Sequence, residues 1–217
     1  MKGWFITLEG PEGAGKSTQI ARLRDYLLRR GIPVVLTREP GGTAVGDRIR
    51  EILLDPRVSE MALSTEVLLY AASRAQLVEE VIRPSLNEAK TVLCDRYVDS
   101  SIVYQAFGGN AKRNEVVEVN RMATGGLMPD RTYLLDLSPE EGDKRLKGRD
   151  RRKDRMELKG KEFHRKVREG FIRLAEEEPE RFCLVNAALS PDEVSDYIIR
   201  DLENHIFKSR GREDHKG

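Results

Sequence analysis

The chain has 217 residues, which is enough for one well-buried domain. Its 38 lysines and arginines nearly balance 37 aspartates and glutamates, so the net charge is +1 and we expect neither a nucleic-acid nor a membrane partner. No apolar run is long enough to span a membrane, and the amino terminus leads directly into a strand pattern that leaves no room for a signal peptide. The two cysteines each lie in an apolar run, as buried free thiols do. We therefore expect a cytoplasmic protein.

Five short apolar runs rich in β-branched residues are predicted to be strands. They are nearly continuous in apolar character, as strands buried on both faces are. Because helical patterns separate them, the sequence predicts a three-layer α/β/α fold with a five-stranded parallel sheet, and ligands at the carboxyl ends of the strands. The runs are Trp4–Leu8, Val34–Thr37, Thr91–Cys94, Thr132–Leu137 and Phe182–Val185.

The helical segments carry recognisable start and stop signals. Ser17–Arg30 has an apolar stripe, and Glu66–Ile82 is long and apolar, with Pro84 predicted to end or bend it. Ser138-Pro-Glu-Glu141 and Ser190-Pro-Asp-Glu193 match capping boxes with proline at the first helical position. We expect a single domain over residues 1–207, with a polar, disordered tail at 208–217.

The segment Gly10–Ser17, which we call the phosphate loop, matches the pattern GxxxxGK(S/T) between a predicted strand and a predicted helix. Glycines let backbone N–H groups face phosphates, Lys16 can reach the β- and γ-phosphates, and the Ser17 hydroxyl can bind Mg²⁺. A glycine-rich turn that matches by chance is the alternative. The pattern predicts binding of a nucleoside triphosphate and Mg²⁺ by residues Gly10, Pro11, Glu12, Gly13, Ala14, Gly15, Lys16, Ser17 and Thr18.

A second apolar strand ends in Asp95, followed by Arg96. An acid at this position lies beside the phosphate loop and can hold magnesium through water, although many strands end in Asp only to cap the next helix. We predict Ser17 and Asp95 as the metal residues, with Arg96 in the same cleft.

The remaining loops narrow the class of nucleotide-binding protein. GTPases read guanine with an Asn-Lys-x-Asp segment, whereas the corresponding strand here ends in Leu-Leu-Asp136-Leu-Ser-Pro. A motor-type ATPase would be larger or built from several modules. These considerations favour a compact kinase.

The motifs, taken together, closely resemble those of thymidylate kinases, which phosphorylate dTMP to dTDP. The matching stretches are GPEGAGKST, TREPGGT, EVLLYAASRAQLVEEVIRP, DRYVDSSIVYQ, PDRTYLLDL and DRME, in the family's order from Gly10 to Glu157. The resemblance implies a P-loop nucleoside-monophosphate kinase fold, ATP and dTMP as substrates, Mg²⁺ as cofactor and a homodimer.

The resemblance also implies roles at the thymine base. Tyr70 matches the aromatic residue that stacks on the base, and Arg74, four residues along the same helix face, would donate to a carbonyl oxygen. Ser101 and Gln105 match polar positions at the base edge, and Tyr104 matches the residue that excludes a ribose 2′-hydroxyl. Taken singly, Tyr70 would be a core residue and Ser101 a helix residue bonded to its own backbone.

Other residues are implied to hold the sugar and phosphate of dTMP. Arg50 and Arg96 match the two arginines that clamp the acceptor phosphate. Glu12 matches an acid that accepts a hydrogen bond from the deoxyribose 3′-hydroxyl and lies near magnesium; the alternative is an exposed turn acid without a ligand. The remaining implied dTMP residues are Glu39, Pro40 and Ser100.

The most basic stretch of the chain, residues 147–161, is interpreted as a lid. A solvated charged surface is the ordinary reading of such a run. The hypothesis is that Arg155, with Arg149 or Arg151, closes over the phosphates, while Glu157 approaches the acceptor and the magnesium waters. The predicted catalytic residues are thus Lys16, Arg96, Arg151 and Arg155.

Two predictions remain. Adenine is expected near Val185-Asn186-Ala187, with Asn186 as an ATP-binding residue. The alternatives to a thymidylate kinase are another nucleotide kinase, acting on dUMP, UMP or a deoxynucleoside, and a nucleotide-binding protein that has lost catalysis.

Overall fold

The computed structural model describes residues 3–147 and 154–207. Five parallel strands form one sheet in the order β2-β3-β1-β4-β5. Helices cover both faces, which confirms the predicted α/β fold. The strands are β1 (Phe5–Glu9), β2 (Val34–Arg38), β3 (Thr91–Asp95), β4 (Arg131–Asp136) and β5 (Phe182–Asn186).

Each strand lies within one residue of its predicted bounds. β1, β3 and β4 are buried along nearly their whole length, as predicted, whereas β2 and β5 lie at the edges of the sheet and are only partly buried. All five strands end in a polar residue at the same edge of the sheet. From β1 the chain passes to one side to build β2 and β3, and to the other side to build β4 and β5. Ligand sites of such sheets lie in the crevice beyond the carboxyl ends of the central strands.

Nine helices lie in the described part of the chain, three of them followed by a π-helical turn. The π-helical segments are Val78–Ile82, Ile102–Gly108 and Glu203–Phe207. The α-helices are α1 (Lys16–Arg29), α2 (Ala44–Leu54), α3 (Leu63–Leu77), α4 (Arg83–Asn87), α5 (Val98–Ser101), α6 (Arg113–Thr124), α7 (Pro139–Leu146), α8 (Lys161–Glu177) and α9 (Pro191–Leu202).

The predicted long helix ends earlier than expected. α3 stops at Leu77, and the chain continues through the π-helical turn into α4. Pro84 lies in the first turn of α4, where its missing N–H costs little. The helical path is therefore interrupted before the proline rather than by it.

The two predicted capping boxes differ. At Ser190 both halves are formed, because its side chain accepts from the Glu193 N–H while the Glu193 carboxylate accepts from the Ser190 N–H. At Ser138 only the serine half is present, with Oγ accepting from Glu141 N at 3.3 Å. The capping box predicted at Ser138 therefore starts a helix at the expected position but lacks the bond from the Ser138 N–H to Glu141.

Two apolar clusters pack on the faces of the sheet, one beneath α3, α6 and α8 and the other beneath α1 and α9. Cys94 and Cys183 are buried free thiols. Within residues 3–147 and 154–207, no helix has the length and apolar character needed to cross a bilayer. The predicted tail at 208–217, and Arg149 and Arg151 of the predicted lid, lie outside the described residues.

Candidate active site

The phosphate loop depends on glycine at its first position and at its last position before α1. Gly10 has φ +135°, and a Cβ there would lie 2.3 Å from the carbonyl oxygen of Leu135. Gly15 has φ +91° and immediately precedes the first helical residue, Lys16. Residues with a side chain rarely adopt such backbone angles. The loop therefore reaches the N-terminus of α1, where free N–H groups favour an anion.

Lys16 lies inside this loop. Its Nζ donates to the carbonyl oxygens of Gly10 at 3.0 Å and Pro11 at 2.9 Å. The side chain is buried, and burial lowers the pKa of the ammonium group, with Arg96 contributing in the same direction. The cation is thus held at the wall of the pocket that the loop borders.

Ser17 and Asp95 are adjacent at the same pocket. The Ser17 hydroxyl donates to the Asp95 carboxylate at 3.3 Å, and both residues line the pocket. The described residues contain no cluster of three or more His, Cys, Asp or Glu arranged to hold a metal. Mg²⁺ in phosphate-transferring sites needs only one or two protein oxygens, the rest coming from phosphates and water. The pair therefore fits that cation.

Arg96 connects the phosphate loop to α5 at the edge of the pocket. Its guanidinium donates to the Gly10 carbonyl oxygen at 2.9 Å and to Ser100 Oγ at 3.1 Å, and it forms an ion pair with Glu12. Its backbone has φ +70°, a left-handed conformation that non-glycine residues adopt at a cost and mostly at functional sites. The main-chain N–H of Arg96 donates to the Leu8 carbonyl oxygen at 3.0 Å, which fixes this turn to β1.

Glu9, which the sequence analysis did not single out, supports the same turn. Its fully buried carboxylate accepts from Tyr97 N at 2.7 Å, Ser100 N at 3.3 Å and Ser100 Oγ at 2.6 Å. Burial, and then the nearby Asp99, raise the pKa of Glu9 to about 7. Its position directly before the glycine loop is the only sequence signal that could have indicated it.

Arg74 is buried, with 1% of its surface exposed, and has all five N–H donors engaged. Nε donates to Glu39 at 2.7 Å, Nη1 donates to Ser101 Oγ at 3.0 Å and to Asn120, and Nη2 contacts Glu39 and donates to the Tyr97 carbonyl oxygen at 3.2 Å. Arg74 lines the pocket. A bond to a thymine carbonyl must therefore be shared with, or replace, one of these partners.

Arg50 is positioned by the loop after β2. Its Nη1 donates to the Pro40 carbonyl oxygen at 2.8 Å, and burial, followed by the like charge of Arg38, lowers the pKa of its guanidinium. Two cations, Arg38 and Arg50, therefore line one wall of the pocket. Arg38 already pairs with Asp47 at 3.1 Å, and the repulsion that remains between the two guanidinium groups is relieved by an anion.

Three buried polar atoms of pocket-lining residues have no hydrogen-bond partner among the described residues. They are Glu39 Oε1, the Tyr104 hydroxyl and Gln105 Oε1. Buried polar groups in folded proteins are nearly always paired, so these three atoms are available to a polar ligand.

The structure brings most of the predicted site residues to one pocket. The predicted residues that line it are Glu12, Gly13, Gly15, Lys16, Ser17, Thr18, Glu39, Pro40, Arg50, Tyr70, Arg74, Asp95, Arg96, Ser100, Ser101, Tyr104 and Gln105.

Six predicted residues within the described part of the chain do not line this pocket. Gly10, Pro11 and Ala14 belong to the phosphate loop but face away from the pocket. The carbonyl oxygens of Gly10 and Pro11 accept hydrogen bonds from Lys16, and Ala14 is buried in the core. Asn186 lies at the end of β5, where its side chain accepts from Ala188 N at 3.0 Å. The other two, Arg155 and Glu157, lie in the segment after the undescribed residues.

Arg155, predicted to contact phosphates, is instead buried against Glu66. Its Nη1 lies 2.6 Å from Glu66 Oε2, and its Nε donates to the Leu53 carbonyl oxygen at 2.8 Å. Glu157 forms a local turn, in which its carboxylate accepts from Asp154 N at 3.1 Å. Arg151, the other lid arginine predicted to be catalytic, lies outside the described residues.

Sequence reasoning missed five pocket-lining residues: Arg38, Leu54, Tyr97, Asp154 and Met156. Arg38, Tyr97, Asp154 and Met156 lie within motifs that the sequence analysis quoted, so their neighbours were a usable signal. Leu54 had no such signal, because an apolar residue near a helix end is most often a core residue.

Comparisons with known proteins agree with this geometry. The sequence model of the family described as thymidylate kinase matches residues 8–198. The chain belongs to the thymidylate kinase family. A thymidylate kinase from Exiguobacterium sp. is 48% identical over 94% of this chain and 97% of the relative, and one from Deinococcus radiodurans is 51% identical over 89% and 93%. The crystal structure of thymidylate kinase from Ehrlichia chaffeensis superimposes with a TM-score of 0.76 at 30% identity, covering 93% of this chain and 99% of that one.

Proposed function

We propose that the pocket holds ATP and dTMP end to end over β1 and catalyses transfer of the γ-phosphoryl group of ATP to dTMP. Membership of the thymidylate kinase family gives this reaction and its two nucleotides. The observation that carries the assignment is that the residues of the phosphate loop and those matched to dTMP line one continuous pocket.

On the donor side, the N–H groups at the start of α1 and the ammonium group of Lys16 would bind the ATP phosphates. Lys16 now donates to two carbonyl oxygens of its own loop, and a phosphate offers the same ammonium group a charged acceptor. Ser17 and Asp95 would hold Mg²⁺, which when bound supplies charge neutralisation to the phosphates.

On the acceptor side, Tyr70 would stack on thymine, and Arg74, Ser101 and Gln105 would face the base edge. Tyr104 would lie beneath the deoxyribose. Support comes from the unpartnered Tyr104 hydroxyl and Gln105 Oε1 and from the buried guanidinium of Arg74. The acceptor phosphate would bind between Arg50 and Arg96, because the Arg50 side of the pocket already carries two like charges.

The chemistry then needs positioning and charge neutralisation and no general base. An oxygen of the dTMP phosphate is already anionic and can form the new O–P bond as ADP leaves. Arg96 contacts both the Glu12 side chain and the Gly10 carbonyl oxygen of the loop. It would therefore lie beside the phosphoryl group as that group passes from one nucleotide to the other. Glu12 would accept from the deoxyribose 3′-hydroxyl.

We also propose that the protein acts as a cytoplasmic homodimer. Support for a dimer comes from exposed apolar side chains on two neighbouring helices, Val45 and Ile52 of α2 and Leu68 of α3. Leu77 and Ile82, further along the same helical path, cannot contribute, because both are fully buried in the chain's own core.

A coupled ADP-release assay with ATP, Mg²⁺ and dTMP tests this function. We expect turnover on dTMP to exceed turnover on UMP by at least a hundredfold, because Tyr104 is placed to exclude a 2′-hydroxyl. Comparable rates on UMP would instead favour a less selective nucleotide kinase. ATP binding without ADP release on any nucleotide would favour a catalytically silent protein.

A further inference from the structure

Three buried side chains from three different elements form a chain of polar contacts beside the pocket. Arg155 Nη1 lies 2.6 Å from Glu66 Oε2, and Gln105 Nε2 donates to Glu66 Oε1 at 2.8 Å. Arg155 is 6% exposed, Glu66 5% and Gln105 1%. Water has little access to these contacts, so loss of one partner would leave buried polar atoms of the others unpaired.

Arg155 fixes which groups donate and which accept in this series of contacts. A guanidinium can only donate, and a carboxylate paired with it can only accept. The atom of Gln105 that contacts Glu66 must therefore be the amide nitrogen, which leaves Oε1 as the acceptor of a pocket-lining side chain. This Oε1 has no partner among residues 3–147 and 154–207.

Arg155 is also attached to a second element of the acceptor side. Its main-chain N–H donates to the Leu54 carbonyl oxygen at 3.1 Å and its Nε to that of Leu53 at 2.8 Å. These carbonyls belong to the last turn of α2, where helices leave such groups without internal partners. α2 carries Arg50, and α3, which provides Glu66, carries Tyr70 and Arg74.

We propose that Arg155 and Glu66 are positioning residues that fix the amide of Gln105 with its oxygen towards the bound base. The ion pair keeps an acceptor-only group behind Gln105, so the amide presents an acceptor to a base that carries an N3–H donor. Arg155 thus acts through Glu66 on base recognition rather than on the transferred phosphoryl group. The inference rests on the proposed position of thymine beside Gln105.

The series of contacts from Arg155 through Glu66 to Gln105 is called the relay below. Arg155→Met and Glu66→Gln test the relay, with Arg131→Met as the matched control. Arg131 is 5% exposed and bound through two bonds to Asp201, but lies at the amino end of β4, opposite the pocket. We expect both relay variants to raise the KM for dTMP at least tenfold while kcat and the KM for ATP stay within about threefold. Arg131→Met should lower Tm and leave both KM values unchanged.

Base selectivity gives a second readout that a structural role would not change. The amide introduced by Glu66→Gln could either accept from or donate to Gln105, so the Gln105 amide could turn over and offer its nitrogen to the base. The kcat/KM ratio of dTMP over 5-methyl-dCMP, whose N3 is an acceptor, should therefore fall about tenfold in Glu66→Gln. Arg74 opposes the exocyclic amine equally in wild type and variant.

Two outcomes would overturn the relay. A loss of kcat of a hundredfold or more in Arg155→Met at unchanged KM would place Arg155 on the phosphates. Relay variants that behave like Arg131→Met, with unchanged selectivity, would make the contacts purely structural. If Arg155→Met does not fold, the nearly isosteric Glu66→Gln carries the decision. Wild-type turnover of dTMP is measured first, because its absence would sink the proposed function rather than the relay.

Discussion

At the scale of single residues, the acid within the phosphate loop is the least expected feature of the site. A carboxylate beside bound phosphates is repulsive unless a cation compensates for it. Arg96 supplies that cation by pairing with Glu12, and it does so from a left-handed backbone conformation tied to β1. The pair with Arg96 therefore fixes the direction of the Glu12 side chain.

Replacing Glu12 by Gln removes the charge and keeps the shape. We expect kcat/KM for dTMP to fall at least tenfold, which corresponds to about 1.4 kcal/mol of transition-state stabilisation. Tm should change by no more than about 2 °C, because the amide oxygen introduced at position 12 can still accept from Arg96, which also keeps its bonds to Gly10 and Ser100. Steady-state kinetics and thermal denaturation check both parts, with Glu140→Gln on the exposed first turn of α7 as control. Kinetics like those of wild type would refute the role.

The buried Glu9 predicts an unusual pH dependence of stability. Its pKa is raised from 4.5 to about 7 in the folded protein, so between these values the folded state binds more protons than the unfolded state. This group's contribution to the free energy of unfolding is therefore complete below about pH 4.5, falls as pH rises to about 7, and amounts to roughly 3 kcal/mol.

Urea denaturation of wild type and Glu9→Gln at pH 5 and pH 8 measures this effect. The neutral variant should gain stability relative to wild type on going from pH 5 to pH 8, because it no longer has a buried carboxyl to ionise. A difference between the two proteins that is independent of pH would contradict the assignment.

At the scale of elements, α7 and α9 begin with the same Ser-Pro-x-Glu pattern but close it differently. Only at α9 does the third-position glutamate accept from the N–H of the capping serine, with Ser190 N and Glu193 Oε2 separated by 2.9 Å. The hydrogen bonds with Ser190 lower the pKa of Glu193.

Glu193→Ala should therefore lower Tm by about 2 °C more than Glu141→Ala, since both remove a first-turn charge but only the first removes a cap bond. Differential scanning calorimetry of the two variants compares them directly. Equal Tm values would mean that the reciprocal bond contributes nothing.

At the scale of the whole molecule, the proposed homodimer predicts which surface joins two copies of the chain. Leu68 on α3 is 56% exposed, and we propose that it contacts the second copy together with the exposed Val45 and Ile52 of α2. Leu68→Glu should convert the dimer to a monomer in sedimentation equilibrium. Leu184→Glu, which changes a 49% exposed leucine on the edge strand β5, should leave the dimer intact. If only the second change dissociates the protein, the interface lies at β5.

The sequence by itself determined the fold class, the strands and the phosphate loop. These features rest on local signals: runs of apolar residues, glycines at fixed spacing, and polar residues at strand ends. It also indicated Arg74, Tyr104 and Gln105 as members of one site, through their resemblance to a family pattern. The strands, the phosphate loop and the motif residues can be predicted from the sequence because each signal lies within a few neighbouring positions.

Only the tertiary structure decided what the side chains bond to. Glu9 and Tyr97 N, 88 positions apart, meet because β1 and β3 are adjacent in the sheet. Arg155 and Glu66 meet because the segment after the undescribed residues packs on α2 and α3. Both carboxylates are buried, so their partners are set by the packing of residues that are distant in sequence. A local sequence pattern cannot predict such contacts. That is why Arg155 could be expected at the phosphates and yet lies against Glu66.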